Sequence, residues 1–297
     1  MPFWKNAHRN GNSQGDVIMN SPGHDLAVTL NASHAFKQYI NYLPSSAWGQ
    51  QSACDRWTVC DVIVHMVNVN KAFAAFISRG LQGIQAPPEG ATAPGTLSAS
   101  SAAEIWHKSV LSVRKRLGNE ILSRFTASSD HLDKLLADLK DADWEKPCYH
   151  PAAIFPVRRF LNSWTSELVV HGWDIRSRLE PGAKLSADAV PLVLNYIPSF
   201  ANWLFWPTGG LPEPVCYRFE LNGPGSRDID IVVAGGRVDI DKAGNKPSNV
   251  TFRCSTEIFV LMIYGRLQVE DLIASGKLLA EGPGTLTKDF GHMFKGA

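Results

Sequence analysis

Two short fragments of the chain carry side chains that could bind a metal ion. The first, WTSELVVHGWDIR at residues 164–176, places Glu167 four residues before His171. Four residues make about one helical turn, so both side chains would lie on one face of a helix and could reach the same ion. The second, TVCDVIVHMVNVNKAF at residues 58–73, contains His65. Spacing alone does not pair His65 with the other two residues.

Two imidazoles and one carboxylate would make a catalytic type of metal site. Such sites use three protein ligands and keep a fourth position open for water or a substrate atom. These donors favour Zn²⁺ first and admit Ni²⁺, Mn²⁺ or Fe²⁺. The alternative is that each histidine is an ordinary packed helix residue, which is the commoner meaning of one Glu and one His at this spacing. A purely structural metal usually has four protein ligands, and only three candidates are visible.

Composition excludes several classes of protein. The 29 Lys and Arg residues and the 28 Asp and Glu residues are interleaved along the chain, which offers no basic surface for nucleic acid or an anionic membrane. The longest apolar run, IFVLMIY at 258–264, is shorter than the ~20 residues that span a bilayer. We therefore expect no membrane segment and a small-molecule partner. The oligomeric state stays open.

The cysteines indicate a reducing environment. Five cysteines are an odd number, and none forms a CxxC pair, so neither a disulfide framework nor a cysteine zinc site is indicated. The N-terminus lacks the apolar stretch of a secretory signal. We expect a cytoplasmic protein, and Cys54 and Cys60 receive no role.

Hydrophobic periodicity divides the chain into three parts. Residues 1–23 are expected to form a flexible extension, residues 24–210 a helical bundle, and residues 211–297 a small α+β domain. The expected helices of the bundle cover residues 25–43, 58–79, 102–141, 157–179 and 187–204. Alternating apolar residues predict strands that pair as an antiparallel sheet. These strands cover residues 216–223, 227–236, 237–244 and 249–255, and the helices that follow cover residues 255–267, 269–278 and 283–296.

Three motifs resemble those of a known family. They are W-T-V-x-D-x-x-x-H at 57–65, E-x-x-x-H-G-W-D at 167–174, and a C-terminal run that contains Y-G-R-L, S-G-K-L and E-G. Together they resemble the mycothiol-dependent maleylpyruvate isomerase family over roughly residues 24–297. The resemblance implies an α+β protein in which a DinB-like four-helix metal-binding bundle precedes a small domain related to sterol carrier protein 2.

The resemblance also implies roles for individual residues. It makes His65, Glu167 and His171 the three metal ligands. Asp61 lies one helical turn before His65, and Asp174 lies three residues after His171. Either carboxylate could orient a ligand imidazole through a hydrogen bond, and Asp61 is the residue expected to act in catalysis. Arg266, in the Y-G-R-L segment, is expected to hold a substrate carboxylate through two parallel hydrogen bonds.

The implied chemistry uses a thiol as cosubstrate. Coordination to a divalent cation favours the thiolate, which is the nucleophile. The resemblance implies a low-molecular-weight thiol such as mycothiol and a small electrophile, with the enzyme acting as an isomerase or an S-transferase. The alternatives are a metal-dependent hydrolase that uses metal-bound water, and a non-enzymatic protein that binds an apolar ligand and contains a structural metal.

Overall fold

The structure, a computed structural model, describes residues 22–97, 99–206, 211 and 213–294. Most of the expected N-terminal extension therefore lies outside the described residues. Its last two residues, Pro22 and Gly23, already belong to the first helix.

Four long helices form a bundle, and two further helices lie beside it. The helices in chain order are α1 (Pro22–Tyr42), α2 (Val59–Leu81), α3 (Ala99–Leu117), α4 (Ile121–Ala137), α5 (Val157–Leu179) and α6 (Val190–Leu204). Within the bundle, α1 and α2 each pack against both α4 and α5. Helix α3 lies outside it, against α2.

Helix α2 runs through the centre of this part of the molecule. Thr58 caps its first turn by accepting a hydrogen bond from the backbone of Asp61, whose side chain accepts one from the backbone of Thr58 in return. This reciprocal pair satisfies two backbone donors at the helix start. Among the described residues, α2 alone is long and apolar enough to cross a membrane, but 67% of its apolar window is buried inside the molecule. Burial of this extent is typical of a core helix.

The helix expected over residues 102–141 is two helices. Gly118 adopts a φ of +51°, a left-handed conformation that suits glycine and ends α3. One 3₁₀ turn, Gly118–Glu120, then leads into α4. A short hairpin that the sequence did not predict follows, in which β1 (Pro147–Tyr149) pairs with β2 (Ile154–Pro156).

The C-terminal part is a five-stranded sheet with three short helices. Its elements are β3 (Val215–Asn222), β4 (Asp228–Ala234), β5 (Arg237–Lys242), β6 (Val250–Ser255), α7 (Thr256–Ile263), α8 (Val269–Ala274), β7 (Leu279–Glu281) and α9 (Gly284–Gly291). The strand order is β5-β4-β3-β6-β7. Buried and less buried residues alternate along β3 and β6, as expected for strands with one face on a core.

The prediction of a purely antiparallel sheet is wrong. Strands β3 and β6 pair in parallel, whereas the other neighbours in the sheet are antiparallel. The chain leaves β5 at one edge and returns past β4 to the far side of β3. Alternation reveals which face of a strand is buried, but it does not reveal which strand lies beside it.

Helix α6 connects the two parts instead of completing the bundle. It packs against α5 on one side and against β5 and α7 on the other. Its residues Val193, Leu194 and Ile197 belong to the same apolar core as the sheet. A helix buried on two sides is apolar around most of its circumference. The α+β class, with a helical bundle followed by a small mixed domain, is confirmed.

Candidate metal centre

The three residues predicted as ligands lie together between α2 and α5. His65 Nε2 is 3.1 Å from Glu167 Oε2, and His171 Nε2 is 3.2 Å from the same oxygen. All three candidate ligand atoms lie within 4.8 Å of one another. The two imidazoles are buried, whereas the Glu167 side chain is 25% exposed. The cluster therefore opens on the side of Glu167.

The separations suit a divalent cation. Ligand atoms at ~2.0 Å from a tetrahedral ion lie roughly 3.3 Å from each other. The two nitrogen-to-oxygen distances at Glu167 are close to this value. The donor set, two imidazoles and a carboxylate, belongs to the range that Zn²⁺ and its neighbours accept.

Asp174 holds the second nitrogen of one imidazole. Its Oδ2 atom is 2.8 Å from His171 Nδ1, so Nδ1 carries a proton and donates a hydrogen bond to the carboxylate. In the neutral imidazole, Nε2 then presents a lone pair to the carboxylate of Glu167. Two acceptors that face each other need a proton or a metal ion between them. In metal sites, the ring nitrogen of a ligand histidine that does not bind the metal commonly donates a hydrogen bond to a carboxylate.

The pKa values of the three residues also indicate that the cluster is stabilised by a positive charge. Burial lowers the pKa of His65 more than Glu167 raises it. Burial also acts to lower the pKa of His171, but its hydrogen bonds with Asp174, Cys54 and Glu167 raise that pKa well above the usual value. Burial acts to raise the pKa of Glu167, yet its bonds to the two imidazoles hold it far below the usual range. A carboxylate that remains ionised beside two buried imidazoles, where little water reaches it, is stabilised by a cationic partner.

A second set of contacts ties the C-terminal domain to this centre. Arg266, in the turn after α7, donates from Nε to Asp174 Oδ1 at 2.8 Å and from Nη2 to Asp174 Oδ2 at 2.9 Å. Cys54 Sγ lies 2.9 Å from Asp174 Oδ2 and 3.0 Å from Arg266 Nη2. Sequence reasoning gave Cys54 no role. Its position next to His171 depends on the loop before α2, which no motif spacing reveals.

Two residues have partners that differ from those expected. Arg266 binds the carboxylate of Asp174 in the same chain. The Arg266 side chain is 6% exposed, so the guanidinium is hardly accessible to a substrate carboxylate. The carboxylate of Asp61 bonds to Thr58 and, at 2.9 Å, to Arg114 Nη1. Asp61 thus stabilises the start of α2, whereas Asp174 is the carboxylate that bonds to a candidate ligand imidazole, that of His171.

Aromatic rings enclose the imidazoles. The ring centroid of Trp57 is 4.8 Å from that of His65 and 6.1 Å from that of His171. Trp106, on α3, lies 6.4 Å from His65. These two tryptophans therefore pack beside the candidate ligands.

A cavity of about 480 Å³ lies away from the candidate metal centre. Its walls are formed by α1, α5 and the segment of residues 180–188. None of the predicted site residues lines it. Cavity size therefore does not identify the candidate centre, which is defined by its donor atoms.

Fold and site together define a class of protein. It is a helical bundle with a partly open His-Glu-His cluster that could hold a metal ion, joined to a small α+β domain whose Arg266 bonds to Asp174 beside that cluster. Residues 30–176 match the family model described as the mycothiol maleylpyruvate isomerase N-terminal domain, and residues 215–295 match that of the SCP-2 sterol transfer family. The helical part therefore belongs to the mycothiol maleylpyruvate isomerase N-terminal domain family, and the C-terminal part belongs to the SCP-2 sterol transfer family.

Two solved structures share the fold over most of the chain. One is described as the mycothiol-dependent maleylpyruvate isomerase, with 15% sequence identity and a TM-score of 0.61. The other is a histidine-to-alanine mutant of an enzyme with the same description, with 14% identity and the same TM-score. Each match covers 90% of this chain and 97% of the other. A search of the curated proteins found no match.

Proposed function

We propose that this protein is a metal-dependent enzyme that activates a low-molecular-weight thiol for attack on a small electrophile. His65, Glu167 and His171 are the proposed ligands of the metal, with Zn²⁺ as the first candidate. The thiol is mycothiol or a related compound, and the reaction is an isomerisation or an S-transfer. A cytoplasmic location is part of the proposal.

The convergence of three donor atoms in a partly open cluster carries this proposal. Three protein donors, His65, Glu167 and His171, face one another in this cluster, and the exposed part of Glu167 marks the open side. The other group of candidate donors, Cys54 and Asp174 with His171, lies at the Nδ1 side of the His171 ring. A structural metal would be enclosed by four protein ligands. A centre with an open position instead accepts an exogenous ligand such as a thiol. The family to which the chain belongs supports a thiol as that ligand.

The residues around the centre have separate tasks. A bound divalent cation would supply the positive charge that favours the thiolate form of the thiol. Asp174 fixes the tautomer of His171, so that Nε2 faces the centre. Trp57 covers both imidazoles and keeps water from that side. In an isomerisation, the thiolate adds to an activated double bond, the single bond that results rotates, and the thiolate leaves. In an S-transfer, the new C–S bond remains.

Cobalt substitution tests the proposal. The Co²⁺-loaded protein is titrated with mycothiol, and the visible absorption spectrum is recorded. A charge-transfer band that saturates with thiol, and that is absent in His171→Ala, is expected. Activity towards an electrophile should then require thiol. Turnover of an amide or ester in the absence of thiol would favour the hydrolase, and stoichiometric metal with no response to thiol would favour a structural metal.

A further inference from the structure

The cavity between α1 and α5 has the size of a small-molecule binding site. Its volume of about 480 Å³ falls within the range of roughly 300–1,000 Å³ that is typical of ligand sites. Four buried apolar residues line it: Phe36, Leu168, Val169 and Leu185. Lys184 is among the exposed residues that also line it, so a ligand can enter from solvent.

Small residues on both helices create this space. Ala32 and Ala35 line it from α1, and Gly172 lines it from α5. A Cβ atom added at Gly172 would lie 3.3 Å from a ring carbon of Phe36, so the two helices approach closely beside the cavity. Because Ala35 is exposed, a large side chain at this position would enter the cavity without displacing a core residue.

Two aromatic rings in the lining are held by hydrogen bonds. Trp173 Nε1 donates to the backbone oxygen of Ala183 at 3.1 Å. The hydroxyl of Tyr39 bonds to Glu180, and burial together with this bond raises the pKa of Tyr39 to about 12. Both rings are half-buried. Rings fixed in this way favour a flat aromatic partner, which can stack on their faces or meet their edges.

One end of the cavity has an excess of positive charge. Arg176 donates from Nε to Glu180 Oε2 at 3.1 Å and from Nη1 to the backbone oxygen of Lys184 at 3.4 Å. Two cationic residues therefore lie around one carboxylate. Asp188, the other acidic residue of the lining, forms no ion pair with either cation in the part of the chain that the structure describes. An anionic group is favoured at the end formed by Arg176 and Lys184.

We propose that this cavity binds a small molecule with an aromatic body and one negatively charged group. The aromatic body lies against Tyr39 and Trp173, and the anionic group faces Arg176 and Lys184. None of the candidate metal ligands lines the cavity, so binding requires no metal ion. The cavity is a second site, and the proposal is independent of the proposed function.

Binding of naphthalene-2-sulfonate tests the site. The sulfonate, and naphthalene-2-methanol as its uncharged counterpart, are titrated calorimetrically into the protein, both loaded with Zn²⁺ and after treatment with a chelator. We expect saturable binding of one sulfonate with the same Kd in both forms, and weaker binding of the alcohol. Ala35→Trp fills the cavity and should raise the Kd more than tenfold. Ala27→Trp, at an exposed position of α1 outside the cavity, is the matched control and should leave the Kd unchanged.

Lys184→Glu tests the charge. The variant should raise the Kd of the sulfonate about three- to tenfold and leave that of the alcohol unchanged, and the difference should decrease as salt is added. Lys277→Glu, at an exposed position outside the cavity, is the control. Lys184 is itself exposed, so this variant provides the test if Ala35→Trp does not fold.

Three results would overturn the site: no binding to the parent protein, an unchanged Kd in Ala35→Trp, or loss of binding when the metal is removed. Equal effects of Lys184→Glu and Lys277→Glu would overturn the assignment of the anionic group. The cobalt titration with thiol does not involve this cavity, so a failure of the proposed function is observed separately.

Discussion

Arg266 of the C-terminal domain and Asp174 of the helical bundle form a buried ion pair with two hydrogen bonds. The distances are 2.8 Å from Nε to Oδ1 and 2.9 Å from Nη2 to Oδ2, and Asp174 is completely buried. The same carboxylate accepts a hydrogen bond from His171. Arg266 also donates to the backbone oxygen of Tyr264, whose hydroxyl bonds to Ser166 on α5. The small domain therefore contributes to the position of a candidate ligand without touching the ligand atoms.

Loss of the Asp174 carboxylate should affect both metal affinity and stability. In Asp174→Asn, His171 loses its charged partner, and we expect metal affinity to fall about 10- to 100-fold. Arg266 also becomes a buried charge without a counter-ion, which costs about 3–5 kcal/mol in the free energy of unfolding. Competition with a chelating dye and chemical denaturation measure the two effects.

A double variant separates the effect on metal affinity from the effect on stability. Asp174→Asn combined with Arg266→Met removes both members of the pair, so the stability should recover in part while the metal affinity remains low. Additive losses of stability in the double variant would contradict the coupling between the two residues.

Removal of one candidate ligand should remove the metal. His65→Ala and Glu167→Ala each leave two donors, and we expect metal content well below one equivalent by elemental analysis. A chelator should lower the melting temperature of the parent protein but not that of these variants, because a ligand stabilises only the state that binds it. His131→Ala, at an exposed position on α4, is the control and should keep its metal. Stoichiometric metal in both ligand variants would exclude this centre.

Asp61→Ala should lower stability and leave the metal in place. The variant loses one half of the reciprocal cap at the start of α2 and the ion pair with Arg114. We expect a decrease of about 1–2 kcal/mol in the free energy of unfolding. Asp55→Ala, an exposed position in the preceding loop, should have almost no effect. Loss of metal from Asp61→Ala would instead support the role that the sequence suggested, orientation of His65.

His150 should make the stability depend on pH. Burial lowers its pKa from 6.5 to about 4, so the unfolded chain takes up a proton between these values that the folded protein excludes. The free energy of unfolding should therefore decrease as the pH falls from ~6.5 towards ~4, by up to roughly 3 kcal/mol from this group. His150→Phe, which suits the surrounding rings of Phe73, Phe76, Phe155 and Phe160, removes this contribution. Denaturation at several pH values should show a shallower slope for the variant.

The helices and strands were largely predictable because they depend on local periodicity. The apolar pattern of α2 and the alternation in β3 and β6 were both visible in the sequence. The parallel pairing of β3 with β6 was not, because a strand carries no signal for its neighbour. The break at Gly118 was missed, since one glycine within an apolar pattern is compatible with a continuous helix.

By itself the sequence determined the α+β class, the family motifs and the residue types at the candidate centre, because these depend on spacing along the chain. Only the tertiary structure decided which side chains meet. It placed Arg266 on Asp174, paired Asp61 with Arg114, and left Arg159 without a carboxylate partner among the described residues. Both pairs join residues from different elements. The physical reason is that the interaction of two charges depends on the distance between them in the folded protein. The number of residues between them in the sequence does not give that distance.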